Sequence, residues 1–477
     1  MGVTNRAARY GSLPLVALAA TVMLETGERG SLSQAVDGIQ AQFHVSDFWI
    51  GALPSAMTII GAFGSIPFGH LADRYRRTLL LALAMAVWTS VLGLSAMAPT
   101  FFLLFITRLG VGIVEANGPA SISLICDYYP IAERARRIGL YNSGALVGSM
   151  LGLGLSGVFV DQWGWRAAFV MWVPLGVGVV LLLLRIPEPA RGHQDADFHA
   201  DMEASHSRRA NAPDPALDPL AGVDATSLAN VLTLPEPSRI GTFDYDNDDW
   251  RAVYRELFKI RSMWFGVIGI TISQALLVGL GFWGVPFFKE AQHLSASAAG
   301  GYVIVFGLGA AIGVLSGGFV ADRLLRRGIV NARIYVVVAS SLIATAAFVP
   351  AFASHSLAIT APLFVVGGFF LTLPVAPADA LLTDVVVAQL RGRAAALRSV
   401  VRSAAGLAPL AIGALKGLTD LRTALVLFTP LYAVGGLIML GAARHYPGDL
   451  AFVIAESRRV RQGEAEPDTR VSMEPDA

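Results

Sequence analysis

Three charged side chains interrupt the first apolar segment of the chain. Glu25, Glu28 and Arg29 follow the apolar run GSLPLVALAATVML. Positions i, i+3 and i+4 share one face of a helix, so these side chains form a single stripe. Charged groups placed in the middle of a membrane cost at least about 2.5–3.5 kcal/mol each, and they usually pair with one another or face a polar cavity. This stripe is therefore our first candidate for a proton or substrate site.

A second apolar segment supplies the partners for this stripe. Arg108 and Glu115 lie two turns apart in the segment 101–126. This segment runs antiparallel to the first, which brings Glu115 to the depth of Glu28 and Arg29. With Glu25, three acids then meet two bases, and burial beside another acid favours the protonated form of a carboxyl group. Glu115 is the first candidate for proton coupling and Glu28 the second, and a purely structural salt bridge remains the alternative.

The composition indicates a membrane protein. Of the 477 residues, 54 % are hydrophobic and only 15 % are charged, whereas soluble domains carry about 25 % charged residues. The single cysteine, Cys126, excludes an intramolecular disulfide. We find no nucleotide-binding loop, metal-ligand cluster or nucleophile–base pair. We therefore expect no enzymatic activity, no cofactor and no metal, and the net charge of +1 gives no indication of nucleic-acid binding.

Apolar segments of about 20 residues, the length that spans a bilayer as a helix, recur along the chain. Twelve such segments are predicted, six on each side of a long polar region, at 12–38, 47–72, 78–98, 101–126, 137–160, 166–185, 262–288, 297–320, 333–353, 357–382, 395–416 and 422–443.

These segments define the predicted domains. Residues 1–185 form an N-terminal six-helix bundle and residues 262–443 a C-terminal one. Residues 186–261 form a cytoplasmic linker, partly disordered, with an amphipathic helix at its end, and residues 444–477 form a cytoplasmic tail. Lys and Arg concentrate in the loops between spans 2–3, 4–5, 8–9 and 10–11, which places both termini in the cytoplasm of a multi-pass protein of the cell membrane.

The two halves repeat a short motif. GHLADRYRR (Gly69–Arg77) follows the second span and GFVADRLLRR (Gly318–Arg327) follows the eighth. Positive loops alone do not explain the shared Gly-x-x-Ala-Asp-Arg register. Repeats of six helices are a common architecture of secondary transporters.

With this motif, the chain resembles the major facilitator superfamily. Gly69–Arg77 is similar to the loop signature of that family, and Arg108-x-x-x-Gly112 is similar to a second signature. The resemblance implies an all-α membrane protein with twelve transmembrane helices in two six-helix repeats, acting as a monomer. It also implies a charge cluster that gates the cytoplasmic ends of the helices, formed by Asp73, Arg74, Arg77, Asp127, Asp322 and Arg323.

Shorter stretches resemble the spinster branch of this family, which comprises proton-linked lipid transporters. They are Glu28-Arg29, Arg108-x-x-x-Gly-x-x-Glu-Ala, IPEPARG (Ile186–Gly192), FWGVPFF (Phe282–Phe288) and ADALLTDVVVAQLRGRAAAL (Ala378–Leu397). The first acid is Glu where that branch usually has Asp, and Leu407 stands where an acid is expected early in span eleven.

The resemblance implies proton-coupled transport of an amphipathic lipid, such as a lysophospholipid or a sphingoid phosphate, by alternating access. The anionic head would meet Arg29 beside Glu28 and Glu115, with Glu25 and Arg108 completing the site. The candidate lining for the lipid tail consists of aromatic residues of the second half: Phe282, Trp283, Phe287, Phe369 and Phe370. A carrier of small organic anions or drugs and a non-transporting membrane sensor are the alternatives, and the repeated loop signature argues against the sensor.

Overall fold

A computed structural model of the chain describes residues 11–115, 118–129, 131–189, 250–387 and 390–465, with some side chains left out. All regular secondary structure in these ranges is helical. Nine of the described helices, counting those that continue across a short break as one, are long and apolar enough to cross a membrane. The middle of the predicted linker lies outside the described residues.

The first half of the chain contains nine helices within the described ranges. In chain order they are α1 (Leu13–Gln34), α2 (Val36–Phe43), α3 (Asp47–Arg74), α4 (Arg77–Ala96), α5 (Phe101–Val114), α6 (Gly118–Tyr128), α7 (Ile131–Trp163), α8 (Ala167–Val170) and α9 (Trp172–Arg185).

A short amphipathic helix precedes ten longer or shorter helices of the second half within the described ranges. The helices are α10 (Trp250–Lys259), α11 (Arg261–Gln292), α12 (Ala296–Leu325), α13 (Ala332–Ala353), α14 (Leu357–Thr372), α15 (Val375–Asp384), α16 (Arg391–Arg402), α17 (Ala408–Leu418), α18 (Leu421–Phe428), α19 (Pro430–Leu440) and α20 (Tyr446–Ala465). A 3-10 turn, Ser403–Leu407, joins α16 to α17.

Several predicted spans are divided where the sequence weakens the helix. The fourth span is split between α5 and α6, next to Glu115 and the sequence Asn-Gly-Pro that follows Ala116. The tenth is split between α14 and α15 at Pro374, and the eleventh contains the 3-10 turn. Proline lacks the backbone donor that an uninterrupted helix uses, and breaks of this kind are tolerated in membranes where the backbone is buried in protein or lines a cavity.

Helices α1 and α7 approach each other closely along a row of glycines. A Cβ atom at Gly148 would lie 2.0 Å from the carbonyl oxygen of Met23, and one at Gly152 would lie 2.0 Å from that of Gly27. Thr26 Oγ1 also donates a hydrogen bond across this contact to the carbonyl of Ala145, at 3.0 Å. The glycines of α7 therefore allow its backbone to pack directly against α1, which carries Glu25, Glu28 and Arg29.

The two halves are joined by polar contacts at one end of the molecule. Lys416 Nζ of α17 lies 2.9 Å from Asp47 Oδ1 of α3 and 2.6 Å from Glu290 Oε1 of α11. Lys289 Nζ of α11 lies 2.5 Å from Asp37 Oδ2 of α2. The pairs with Asp47 and Asp37 join the halves at what we call the Lys416 end, while Glu290 holds Lys416 in place within the second half.

Hydrogen bonds to backbone groups also join the two halves at the Lys416 end. Asp161 of α7 accepts hydrogen bonds from the amides of Ala296 and Ser297, the start of α12, at 3.1 and 2.9 Å. Ser33 Oγ of α1 donates to the carbonyl oxygen of Phe282 at 2.5 Å. A carboxylate at a helix N-terminus satisfies amides that lack a partner within the helix and interacts favourably with the helix dipole. The first half of the chain thus caps a helix of the second.

The α1–α7 contact gives a direct test of the fold. We expect Gly148→Ala to lower the free energy of unfolding by about 1–3 kcal/mol, the usual cost of overpacking a tight contact. Gly139→Ala, on the same helix, is the matched control, because a Cβ there meets no atom within 4 Å. The measurement is the thermal unfolding midpoint of each purified variant in detergent, and equal midpoints for the two variants would contradict this packing.

Candidate functional site

A cavity of about 370 Å³, open to the surroundings on one side, lies between the two halves. The first half contributes Arg29, Glu115 and Thr58 to its wall. The second half contributes mainly apolar side chains, which include Phe282 and Phe306. The wall is therefore charged on one side and apolar on the other.

The charged side of the cavity is an ion pair between α1 and the end of α5. Arg29 donates from Nε and Nη2 to the same carboxylate oxygen of Glu115, at 3.1 and 2.7 Å. The Arg29 side chain is 62 % exposed, whereas that of Glu115 is 5 % exposed. The other carboxylate oxygen of Glu115 is buried and has no hydrogen-bond partner among the described residues. Arg29 thus presents its guanidinium to the cavity, and the break between α5 and α6 positions its partner.

A second ion pair lies behind the first. Arg108 Nη1 donates to Glu28 Oε1, and both side chains are fully buried. The Arg108 guanidinium carbon lies 4.6 Å from the centre of the Phe169 ring, a cation–π geometry. Within the described part of the chain, Glu28 Oε2 and the Nε and Nη2 atoms of Arg108 have no hydrogen-bond partner. This pair is buried without full hydrogen bonding, an arrangement that costs stability.

The five charged residues predicted from the sequence come together around α1. The structure divides four of them into two pairs, Arg29 with Glu115 and Glu28 with Arg108. The two pairs interact electrostatically, since Glu28 lies within range of both Glu115 and Arg29. Glu25 is buried and within electrostatic range of Arg29. Their roles in transport remain predictions.

The predicted tail-lining aromatics occupy different environments. Phe282 lines the cavity. Trp283 faces α17, where its Nε1 donates to the carbonyl of Pro409 at 2.9 Å. Phe287 is fully buried with its ring centre 5.1 Å from that of Phe352.

Phe369 and Phe370 contact each other, with ring centres 5.0 Å apart. They pack against a small cluster formed by Ala321, Val336 and Leu373. Of the five predicted aromatics, Phe282 is thus the one on the cavity wall, and Val303 and Phe306 of α12 lie there with it. No periodic signal in the sequence distinguished the α12 residues on the cavity wall from the other residues of that helix.

The predicted charge cluster of the first half is centred on Arg77. Its guanidinium lies 2.5 Å from Asp127 Oδ2 and 3.1 Å from Glu188 Oε1. Arg74 is exposed, and the side chain of Asp73 lies outside the described residues. Glu188 was missed as a cluster member, although it stands in the IPEPARG stretch that the sequence singles out.

The equivalent cluster of the second half involves other residues than those predicted. Asp322 and Arg323 are exposed at the end of α12. Arg333, at the start of α13, pairs with Asp384, which also accepts a hydrogen bond from the Tyr446 hydroxyl at 2.8 Å. The ends of α13 and α15 are thus connected in the way that Arg77 and Asp127 connect α4 and α6.

Glu188 lies beyond the last span of the first half and is tied to α4. Its Oε2 accepts hydrogen bonds from the amide and hydroxyl of Thr78, at 2.8 and 2.7 Å. Partial burial raises the pKa of Glu188, but the hydrogen bonds from Thr78 and Arg77 outweigh burial and hold the pKa below its ordinary value of 4.5. The ionised carboxylate therefore stabilises the fold, and this contribution is lost as the pH falls through the lowered pKa.

Replacing Glu188 tests this attachment. We expect Glu188→Gln to reduce the free energy of unfolding by about 1–2 kcal/mol at pH 7, because hydrogen bonds to an ionised acceptor are lost. The difference from the wild type should shrink as the pH falls below about 4.5, the ordinary value. Glu133→Gln is the control, since Glu133 forms a partly exposed i,i+4 pair with Arg137. A pH-independent difference for Glu188→Gln would contradict the assignment.

Comparison with known proteins places this geometry in a family. The family model described as Major Facilitator Superfamily matches residues 18–409. A probable L-galactonate transporter of Escherichia coli (strain K12) is 25 % identical over 68 % of this chain and 64 % of its own length. A probable sphingolipid transporter, spinster homolog 1, of Arabidopsis thaliana is 25 % identical over 72 % of this chain and 66 % of its own length. The chain thus matches just under two thirds of the length of these curated relatives.

A solved structure shares the fold. The crystal structure of a bacterial homologue of the human lysosomal transporter Spinster, inward-facing and occupied, aligns with a TM-score of 0.73 at 21 % identity, over 92 % of this chain and 98 % of its own. The prediction of an all-α, twelve-helix fold in two repeats, similar to spinster proteins, is confirmed. Since the family model covers most of its length, the chain belongs to the Major Facilitator Superfamily.

Proposed function

We propose that this protein is a proton-coupled secondary transporter that carries an anionic amphipathic molecule through the central cavity by alternating access. The observation behind this proposal is the Arg29–Glu115 pair. Arg29 offers an exposed guanidinium to the cavity and is held by a single carboxylate oxygen of Glu115. An arginine is suited to bind phosphate or carboxylate groups, because its planar donors match two acceptor oxygens.

Binding of an anion and binding of a proton are linked at this pair. A phosphate or carboxylate that contacts Arg29 competes with Glu115 for the same donors. A carboxylate that loses its cationic partner inside a cavity is easier to protonate. The pair would then carry an anion together with a proton, and release of the proton would restore the ion pair and expel the anion. Glu28, paired with Arg108 in the buried layer behind, would be a second proton carrier.

The substrate class follows from the opposite wall. Leu280, Phe282, Val303 and Phe306 supply an apolar surface facing the charged pair. A ligand with an acidic head and an apolar tail meets both walls, and the cavity volume of about 370 Å³ lies within the range of about 300–1,000 Å³ that is usual for small-molecule sites. We therefore assign a lysophospholipid or sphingoid phosphate as substrate. The Arabidopsis relative, described as a probable sphingolipid transporter, supports this choice.

A carrier of small organic anions is the second candidate. The relative described as a probable L-galactonate transporter favours it, since it is 25 % identical to this chain, the same identity as that of the plant protein. Such a substrate would use Arg29 but would leave the apolar wall uncontacted. The two candidates therefore differ in whether affinity depends on an acyl chain.

We place the protein in the cell membrane as a monomer of two six-helix bundles, with both termini cytoplasmic and the Lys416 end facing outward. Asp73, Arg74, Arg77 and Asp127 would then act as a cytoplasmic gate of the first half. In the second half we assign this role to Arg333 and Asp384.

The head-group assignment predicts ligand-dependent stabilisation. Lysophosphatidic acid should raise the thermal unfolding midpoint of the purified wild type, because a ligand that binds the folded state stabilises it. We expect Arg29→Gln to abolish this increase, while Arg185→Gln, which changes an exposed arginine at the end of α9, should retain it. Stabilisation by galactonate but not by the lysolipid would favour the organic-anion carrier, and an unchanged response of Arg29→Gln would refute the head-group site.

The coupling assignment predicts a separate defect for Glu115→Gln. In proteoliposomes this variant should still exchange labelled substrate across the membrane, but an imposed pH gradient should no longer drive net accumulation. Glu256→Gln, which changes a partly exposed carboxylate of α10 paired with Lys259, is the control for loss of a carboxylate. Full dependence of Glu115→Gln on the pH gradient would exclude Glu115 as the coupling residue.

A further inference from the structure

A second group of charged residues lies beside the cavity, in the half that faces Arg29 and Glu115. Arg398 and Arg402 are one turn apart on α16, which continues through a 3-10 turn into α17. Gly406 in this turn touches the first half, since a Cβ there would lie 2.5 Å from the Thr58 Cγ2 atom. Thr58 itself lines the cavity. Arg402 is therefore one helical turn from a contact with the cavity wall.

Arg402 is held in place from two neighbouring helices. Its Nη1 donates to Asp379 Oδ1 of α15 at 2.8 Å, and its Nε donates to Gln274 Oε1 of α11 at 3.1 Å. Gln274 lies one turn from Val278, another residue of the cavity wall. The side chains of Arg402 and Asp379 are 30 % and 49 % exposed. Arg402 and Gln274 thus each lie about one helical turn from a residue at the cavity wall, in the direction away from Lys416.

Arg398 has no corresponding partner. It is partly buried, and it forms no hydrogen bond or ion pair with the residues that the structure describes. Asp379 and Arg402 both lie within its electrostatic range. Among the described residues, two guanidinium groups thus share one carboxylate, which leaves one positive charge in a partly buried place without a counter-charge. Partly buried arginines usually pair with an anion, because an unpaired buried charge is costly.

We propose that Arg398 and Arg402 form a second anion-binding site, which takes the phosphate or carboxylate group of the substrate at the edge of the cavity. Asp379 fixes Arg402 and competes with the anion for both arginines. The site offers the same chemistry as Arg29 from the opposite half, so a substrate's acidic group can contact this edge before it reaches Arg29. The inference goes beyond the proposed head-group site and rests on the proposed function only for the substrate class.

Removing a cation and removing the competing carboxylate should have opposite effects on anion binding, and this difference tests the proposed site. The probes are lysophosphatidic acid, inorganic phosphate and the zwitterionic lysophosphatidylcholine, each titrated into the purified full-length protein while ligand binding is followed by calorimetry. We expect Arg398→Gln to weaken lysophosphatidic acid binding at least about tenfold, as loss of one charge-assisted contact implies. Asp379→Asn should strengthen it, Arg398→Lys should retain most of it, and binding of the zwitterionic lipid should change little. The unfolding midpoint without ligand checks that each variant is folded.

The outcomes separate this proposal from the proposed function. A parallel loss of phosphate binding in Arg398→Gln identifies a general anion site, whereas a loss confined to the lysolipid identifies a head-group site, and both support the inference. Equal weakening by Arg398→Gln and Asp379→Asn would indicate a structural role and overturn it. Binding by Arg398→Gln within twofold of the wild type, or no binding of either anion by the wild type, would also overturn it. If Arg29→Gln binds normally while Arg398→Gln does not, the second site stands and the head-group assignment of Arg29 fails.

Discussion

The cost of placing charge inside an apolar helix determines much of this structure. Helix α1 carries Glu25, Glu28 and Arg29 where a membrane span is expected, and each needs a partner or water. Helix α5 and the residue that follows it provide Arg108 and Glu115 as partners. The glycine row on α7 holds the other side of α1 at backbone contact. One pair is consequently buried and incompletely hydrogen-bonded, while the other faces the cavity, where a ligand can compete with it.

The two ends of the molecule use charge in different ways. At the Lys416 end, ion pairs and a capped helix join the two halves. At the other end, Arg77 with Asp127 and Arg333 with Asp384 connect helices within each half. Interactions that join the halves must break for the cavity to open at that end, whereas interactions within a half can move with it as a rigid unit. The polar contacts of this structure are thus consistent with rocking of two rigid halves about a central site.

The sequence predicted the parts of this arrangement that follow from local patterns. Long apolar segments predicted the helices, and their repeat with the Gly-x-x-Ala-Asp-Arg register predicted two halves. The charges of α1 and α5 were predicted to meet because an unpaired charge inside a membrane is costly, so charged residues at similar depth usually pair. The sequence could not predict which acid pairs with which base, since that depends on the rotation of each helix. For the same reason it could not separate Phe282, which lines the cavity, from the other four aromatics, and it could not identify the pair that Arg333 forms with Asp384. Arg398 and Asp379 approach each other only through tertiary packing of α15 and α16.

Anion binding at Arg29, in our proposal, is linked to protonation of Glu115, and proton uptake on ligand binding measures this link most directly. Purified protein in weakly buffered solution near pH 7 would be mixed with saturating lysophosphatidic acid, and the pH change followed with an indicator dye, with ligand-only and Glu115→Gln samples alongside. The account predicts uptake of about one proton per bound ligand in the wild type and none in the variant. Equal uptake in both proteins, or ligand binding by the wild type without uptake, would contradict it.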